Sequence, residues 1–142
     1  MNLNLPLHTV FLSLGSNLGD KNAYLQTAIR EIKTRIGTVS AVSSIYETDP
    51  WGFQSAHSFL NMAIRVETRL LPRLVLYITQ AIEREMGREK KSQGSYQDRI
   101  IDIDLILYDQ LTIDIPELTL PHPRYREREF VRKPLEEIIG ND

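Results

Sequence analysis

No cysteine occurs among the 142 residues. That absence excludes disulfides, thiolate catalysis and zinc–thiolate centres. It also fits a reducing compartment, so a cytoplasmic location is expected. No charge of one sign dominates either: 17 Lys and Arg stand against 19 Asp and Glu, for a net charge of −2. A general nucleic-acid binder carries a basic surplus, so no nucleic-acid partner is expected. No run of residues approaches the roughly 20 apolar positions that span a bilayer. Residues 1–9 lack the basic and apolar regions of a secretory leader. A membrane partner is therefore not expected. A Walker A loop is also missing. Gly15-Ser16-Asn17-Leu18-Gly19 does not end in Gly-Lys-Ser/Thr, and it reads as a strand-to-helix turn. A bound nucleotide would have to be held by side chains from loops.

What is present suits one globular domain covering residues 1–142, with 42% hydrophobic and 25% charged residues. Residues 9–14 form a short apolar run and read as a strand. Asp20 is placed to N-cap a helix whose apolar stripe is Leu25, Ala28, Ile29, Ile32 and Ile36, with Gly37 to end it. Residues 39–46 read as one strand and 47–58 as a long loop, a length that favours binding. Residues 59–67 alternate: Leu60, Met62, Ile64 and Val66 on one face, Phe59, Asn61, Ala63, Arg65 and Glu67 on the other. Pro72 opens a second helix with the stripe Leu71, Leu74, Val75, Ile78 and Ile82, and Gly87 stops it. Residues 88–99 are a polar loop, and 100–108 the last strong strand. Four prolines, Pro116, Pro121, Pro123 and Pro134, point to an irregular C-terminal extension, with regular structure expected only over 135–139. The order βαββαβ predicts an α+β, ferredoxin-like antiparallel sheet with its helices packed on one face.

Chemistry concentrates on that last strand. Asp102 and Asp104 are two residues apart, so their side chains share a face, while Ile101, Ile103, Leu105 and Leu107 point toward the helices. Like charges side by side repel. One reading is a solvated sheet face eased by Arg99. The other is a magnesium site, since Mg²⁺ is commonly held by one or two carboxylates plus phosphate oxygens and water. Basic residues surround the pair in two groups: Arg88, Lys90, Lys91 and Arg99, then Arg124, Arg126, Arg128, Arg132 and Lys133 after His122. They read either as ordinary charged surface or as clamps on a nucleotide's phosphates. On the neighbouring strand, Phe59 and Asn61 share the face away from the core. A ring beside an amide suits a flat heterocycle, which stacks on one and hydrogen-bonds the other. Phe130 is a candidate to close the other side.

Taken together, these segments resemble the 6-hydroxymethyl-7,8-dihydropterin pyrophosphokinase family over nearly the whole chain. The matching pieces are 14–20 (LGSNLGD), 46–52 (YETDPWG), 59–63 (FLNMA), 82–88 (IEREMGR), 98–106 (DRIIDIDLI), 120–123 (LPHP) and 128–131 (REFV). The resemblance implies transfer of the β,γ-diphosphate of ATP to the hydroxymethyl group of the pterin in folate biosynthesis, with release of AMP. It implies that Asp102 and Asp104 ligate two magnesium ions. Arg88, Lys90 and Arg99 would act at the transfer itself. Phe59 and Phe130 would sandwich the pterin, and Thr48, Trp51 and Asn61 would read its edge. Glu83, Arg88, Lys91, Arg99, His122 and Arg128 would handle ATP. The partners are then ATP and a dihydropterin, and a monomer is expected. Some positions depart from the common pattern. Gln97-Asp98 stand where Gly-Pro is frequent, Tyr96 where a tryptophan is, Lys90 for an arginine and Phe59 for a tyrosine, and Glu117 occupies a place that can be basic. The rival reading is a module of the same fold that binds nucleotide or RNA without chemistry. The paired carboxylates disfavour it, because without metal they would repel phosphates.

Overall fold

A computed structural model of the chain describes residues 5–48, 58–87 and 99–140. Its elements are β1 (His8–Ser16), α1 (Lys21–Arg35), β2 (Gly37–Val42), β3 (Tyr46–Thr48), β4 (Phe59–Thr68), α2 (Pro72–Glu85), β5 (Asp102–Tyr108), β6 (Ile113–Ile115), β7 (Leu118–Leu120) and α3 (Glu129–Ile139), with one 3₁₀ turn, Tyr125–Glu127, before α3. The main sheet runs β2-β4-β1-β5, and β3 also pairs with β4. Every pairing in it is antiparallel. The class is therefore α+β.

Local chemistry explains the two long helices. The Asp20 side chain accepts the Ala23 backbone N–H at 3.2 Å, the bond of an N-cap. Leu25, Ala28, Ile29, Ile32 and Ile36 are all buried, as their spacing predicts. Pro72 occupies the first turn of α2, where a missing N–H costs nothing. On α2 the stripe is narrower than expected: Val75 and Ile82 are buried, but Leu71 is 67% exposed and Leu74 is also exposed. The core joins this face of α1 and α2 to Val10, Leu12, Leu14, Met62, Ile64, Val66, Ile103 and Leu105.

Several expectations need correction. The strand expected over 39–46 is two strands. At the break, the Ser43 hydroxyl accepts the Ala63 N–H at 2.9 Å and donates to the Ser44 carbonyl at 2.8 Å, so a side chain replaces one rung of the ladder. On β5 the alternation fails after Leu105. The register with β1 slips between Phe11 and Leu12, as at a β-bulge. Ile106 and Leu107 consequently both belong to the second apolar cluster rather than the one covered by α1 and α2. The irregular C-terminal extension is in fact a β6–β7 hairpin followed by an eleven-residue helix. Val131, Pro134, Leu135 and Ile138 of α3 are buried at i, i+3, i+4 and i+7. Burial of that stripe outweighs the one helical hydrogen bond that Pro134 forfeits. These side chains meet Phe11, Ala63 and Ile106, so α3 covers the sheet face opposite α1 and α2, and the helices are not all on one face.

Gly37, expected to stop α1, opens β2 instead, because the backbone of β4 passes too close for any side chain. A Cβ there would lie 2.1 Å from the Glu67 carbonyl oxygen and 3.1 Å from Thr68 Cα. Neither backbone atom can move without breaking the β2–β4 ladder. Gly37→Ala is expected to cost about 1–3 kcal/mol, the range for overpacking, measured by urea unfolding. An unchanged unfolding midpoint would show that the two strands do not approach this closely.

Candidate active site

Three strands deliver one row of side chains each to the site. In antiparallel pairs, directly opposed residues share a face. Asn61 of β4 lies opposite Gly15 of β1, and Gly15 lies opposite Asp102 of β5. The next row is Ala63, Ser13 and Asp104. The two aspartates thus project from the same face as Asn61 and Phe59, across a floor of small residues. Gly15 makes this floor shallow: a Cβ there would sit 3.0 Å from Asn61 Oδ1 and 3.7 Å from the Phe59 ring. Phe130, on the first turn of α3, packs against the cluster of Phe11 and Ala63 on this same face.

The Asn61 amide is buried and fixed. Its Nδ2 donates to Thr48 Oγ1 at 2.8 Å, which leaves Oδ1 directed over Gly15. Thr48 lies opposite Phe59 on the short β3–β4 pairing. Lys21 Nζ donates to the Ser58 carbonyl at 3.2 Å, and the Ser58 hydroxyl donates to Glu47 Oε2 at 2.6 Å. These bonds anchor the residue just before β4.

At the other end, the Asp102 side chain is about one-third exposed, at 31%, and Arg99 Nη1 lies 3.5 Å from its Oδ1. Asp104 is likewise partly exposed. Neither is sealed among aliphatic side chains. Arg99 is held through its backbone by the turn after β1. Its N–H donates to Asn17 Oδ1 at 2.6 Å, and its carbonyl accepts the Asn17 N–H at 3.0 Å. Between the aspartates, the Ile103 N–H donates to Oε2 of the buried Glu83 at 2.7 Å. Asp104, Glu83 and His122 line a cleft of about 500 Å³ beside β5, with Gln80, Thr119 and Glu117. Glu117, where a basic residue would be possible, forms an exposed ion pair with Arg73 at 3.3 Å. Among the described residues, no three side chains of His, Asp or Glu converge as a metal cage. The aspartate pair would therefore complete an Mg²⁺ shell only with phosphate oxygens and water, an arrangement this ion commonly adopts. The donor set fits that ion.

Of the residues singled out from the sequence, Asp102, Asp104, Arg99, Glu83 and His122 gather around β5, and Thr48, Phe59 and Asn61 around the end of β4. Arg128 caps the start of α3 and Phe130 follows it. Trp51, Arg88, Lys90 and Lys91 lie outside the described residues. Sequence reasoning did not single out Asn17 and Gly15 as individuals, since both sat inside a segment, 15–19, taken as a whole as a strand-to-helix turn that the family resemblance would bring over the substrates. The signal for Asn17 was a buriable amide directly after a strand. Gln80 and Thr119 had no signal, because the cleft forms only when β6 and β7 fold back beside α2.

The profile of the 7,8-dihydro-6-hydroxymethylpterin-pyrophosphokinase family, HPPK, matches residues 11–140. The chain belongs to this family. A relative from Porphyromonas gingivalis, named 2-amino-4-hydroxy-6-hydroxymethyldihydropteridine pyrophosphokinase, is 50% identical over 131 residues, 91% of this chain and 89% of its own length. A Bacillus subtilis protein of the same name is 43% identical over 129 residues, 90% of this chain and 76% of its own. Among solved structures, an HPPK-DHPS protein in complex with substrates superimposes with a TM-score of 0.78 at 15% identity, covering 94% of this chain. Wild-type Plasmodium falciparum HPPK-DHPS with pteroate gives a TM-score of 0.76 at 16% identity, covering 96% of this chain. The chain spans 40% of the length of each of these two fused proteins. At that identity the likeness concerns the fold alone. The fold and the family profile thus agree. Among the described residues, no helix is long and apolar enough to cross a membrane.

Proposed function

We propose that this HPPK-family chain moves the β,γ-diphosphate of ATP onto the hydroxymethyl group of 6-hydroxymethyl-7,8-dihydropterin, giving the pterin diphosphate and AMP. The observation that carries the reading is the row Asn61–Gly15–Asp102, which sets an amide and an aromatic ring on one side of a shallow floor and two carboxylates on the other. A flat ring lying on Gly15 would meet the Asn61 amide at its edge and Phe59 and Phe130 at its faces. Thr48 orients that amide, and Trp51 would add to the edge contacts. The ring's substituent would then point along the sheet toward Asp102 and Asp104.

Those two aspartates would hold two magnesium ions, which when bound supply charge neutralisation on the triphosphate. Arg99 supports the arrangement from the side: its guanidinium stands beside Asp102, a place from which it would meet phosphate oxygens. Glu83 and His122 line the cleft beside β5, which is large enough to take the nucleoside end of ATP. Arg128, Arg88, Lys90 and Lys91 would supply further positive charge to the phosphates, with Arg88 and Lys90 acting at the transfer. Diphosphoryl transfer asks for this kind of positioning and electrostatic stabilisation more than for covalent chemistry.

The scaffold is, in this reading, the ferredoxin-like plan. β1, β2, β4 and β5 stand in the order β2-β4-β1-β5 with α1 and α2 as crossovers, while β3, the β6–β7 hairpin and α3 are additions to it. Residues 1–142 would act as one pyrophosphokinase domain, working as a monomer in the cytoplasm. The test is an assay with ATP, Mg²⁺ and the pterin that distinguishes AMP from ADP. Pterin-dependent AMP formation is the expected result. Pterin-dependent ADP, or no nucleotide product, would overturn the proposal.

A further inference from the structure

Glu137 lies on the last turns of α3, at the helix end far from Phe130. It is exposed, yet its carboxylate collects three donors from one short stretch of chain. Oε2 accepts the Ser44 N–H at 2.8 Å and the Ser44 hydroxyl at 3.0 Å, and Oε1 accepts the Tyr46 hydroxyl at 2.7 Å. The Tyr46 hydroxyl, then the Ser44 N–H, hold the Glu137 carboxyl below its ordinary range, and the same bond to Glu137 raises Tyr46. Opposite shifts in the two partners are what a phenol donating to a carboxylate produces.

The stretch so gripped is the joint between β2 and β3. β3 is only three residues long and, among the described residues, pairs with β4. A strand that short has little of its own to hold it in place. Tyr46 lies opposite Asn61, and Thr48 lies opposite Phe59 and accepts the Asn61 amide. One helix therefore carries Phe130 near its start and, near its end, the carboxylate that ties down the strand orienting Asn61.

We propose that Glu137 is a positioning residue for the pterin: it sets Thr48 and Asn61 against Phe130 by locking α3 to the β2–β3 joint. This rests on the pterin reading of Thr48, Phe59, Asn61 and Phe130 given above. Glu137 does not touch the reacting groups. Its loss should be felt in pterin affinity and not in nucleotide affinity, because the β5 cleft shares no residue with this joint.

The experiment uses the full chain and two titrations: 6-hydroxymethyl-7,8-dihydropterin in the presence of a non-hydrolysable ATP analogue, and the analogue alone. Glu137→Ala is expected to raise the pterin Kd about tenfold and to change the analogue Kd less than about twofold, as for a displaced contact group. Glu137→Gln, which keeps an acceptor oxygen, should fall between wild type and Glu137→Ala. Tyr46→Phe should weaken the pterin less than Glu137→Ala, and the double variant no more than Glu137→Ala, since both remove one shared bond. Unchanged pterin affinity in Glu137→Ala, or equal weakening of pterin and analogue, overturns the inference alone. A wild-type chain that binds no pterin overturns the functional reading and this inference with it.

Discussion

Replacing either Asp102 or Asp104 with alanine is expected to slow AMP formation by about a thousandfold or more, the scale of losing a principal electrostatic stabiliser, while the fold stays intact. The two halves of this expectation have separate causes. For the rate, both side chains leave the same face of β5, each is partly exposed, and among the described residues they are the pair of carboxylates that opposes the Gly15–Ser13 stretch of β1. No neighbouring carboxylate on that stretch can take over for a missing one. For the fold, two like charges at i and i+2 on one strand repel, so removing one relieves a cost. The Arg99–Asp102 pair, at 3.5 Å and partly exposed, returns little stability when lost. The melting temperature should therefore hold or rise slightly in Asp104→Ala and change little in Asp102→Ala. Asparagine at either position keeps the shape and removes the charge, so Asp102→Asn and Asp104→Asn should be nearly as slow as the alanine variants. Should either alanine variant form AMP at close to the wild-type rate, these carboxylates are not the metal ligands.

The parts of this site that depend on short-range regularity could be read directly from the chain. Period two alone puts Asp102 beside Asp104 and Phe59 beside Asn61, and pairing through β1 then brings the two sets to one face. Asp20 and the apolar stripe of α1 were equally legible, because capping and helical periodicity are local. What failed was decided by contacts distant in sequence. Leu107 left the expected face because β1 forces a bulge, and no local signal marks that slip. Leu71 and Leu74 look like core at helical spacing, but the described chain offers nothing to cover them. α3 was hidden by its own proline: the stripe Val131, Pro134, Leu135 and Ile138 is regular, and Pro134 was read as a stop when the sheet face beneath it compensates. Glu137 drew no notice because Ser44 and Tyr46, which donate to it, lie more than ninety positions away. Glu83 entered through the family resemblance, and its structural role was invisible until β5 proved to be an edge strand.

That edge makes Glu83→Ala the other substitution of large effect. Among the described residues β5 ends the sheet, so its outward backbone groups have no neighbouring strand there and need partners from elsewhere. Two are supplied: the buried Glu83 accepts the Ile103 N–H at 2.7 Å, and the His122 N–H donates to the Ile106 carbonyl at 2.9 Å. Alanine at 83 would leave the Ile103 N–H buried without this acceptor, which costs about 1–3 kcal/mol. Ile103 also sits between the two aspartates. A backbone that relaxes there moves both carboxylates together, and a displacement of about 1 Å is enough to lose about a hundredfold in rate. Glu83→Ala should therefore show both deficits at once, in urea unfolding and in AMP formation. Glu83→Gln keeps an oxygen that can accept from Ile103, so it should recover most of the stability. Any rate it fails to recover then belongs to the lost charge facing the proposed nucleotide cleft. If Glu83→Ala unfolds at the same urea concentration as the parent, or Glu83→Gln is as unstable as alanine, the carboxylate is not what holds the edge of β5 in register.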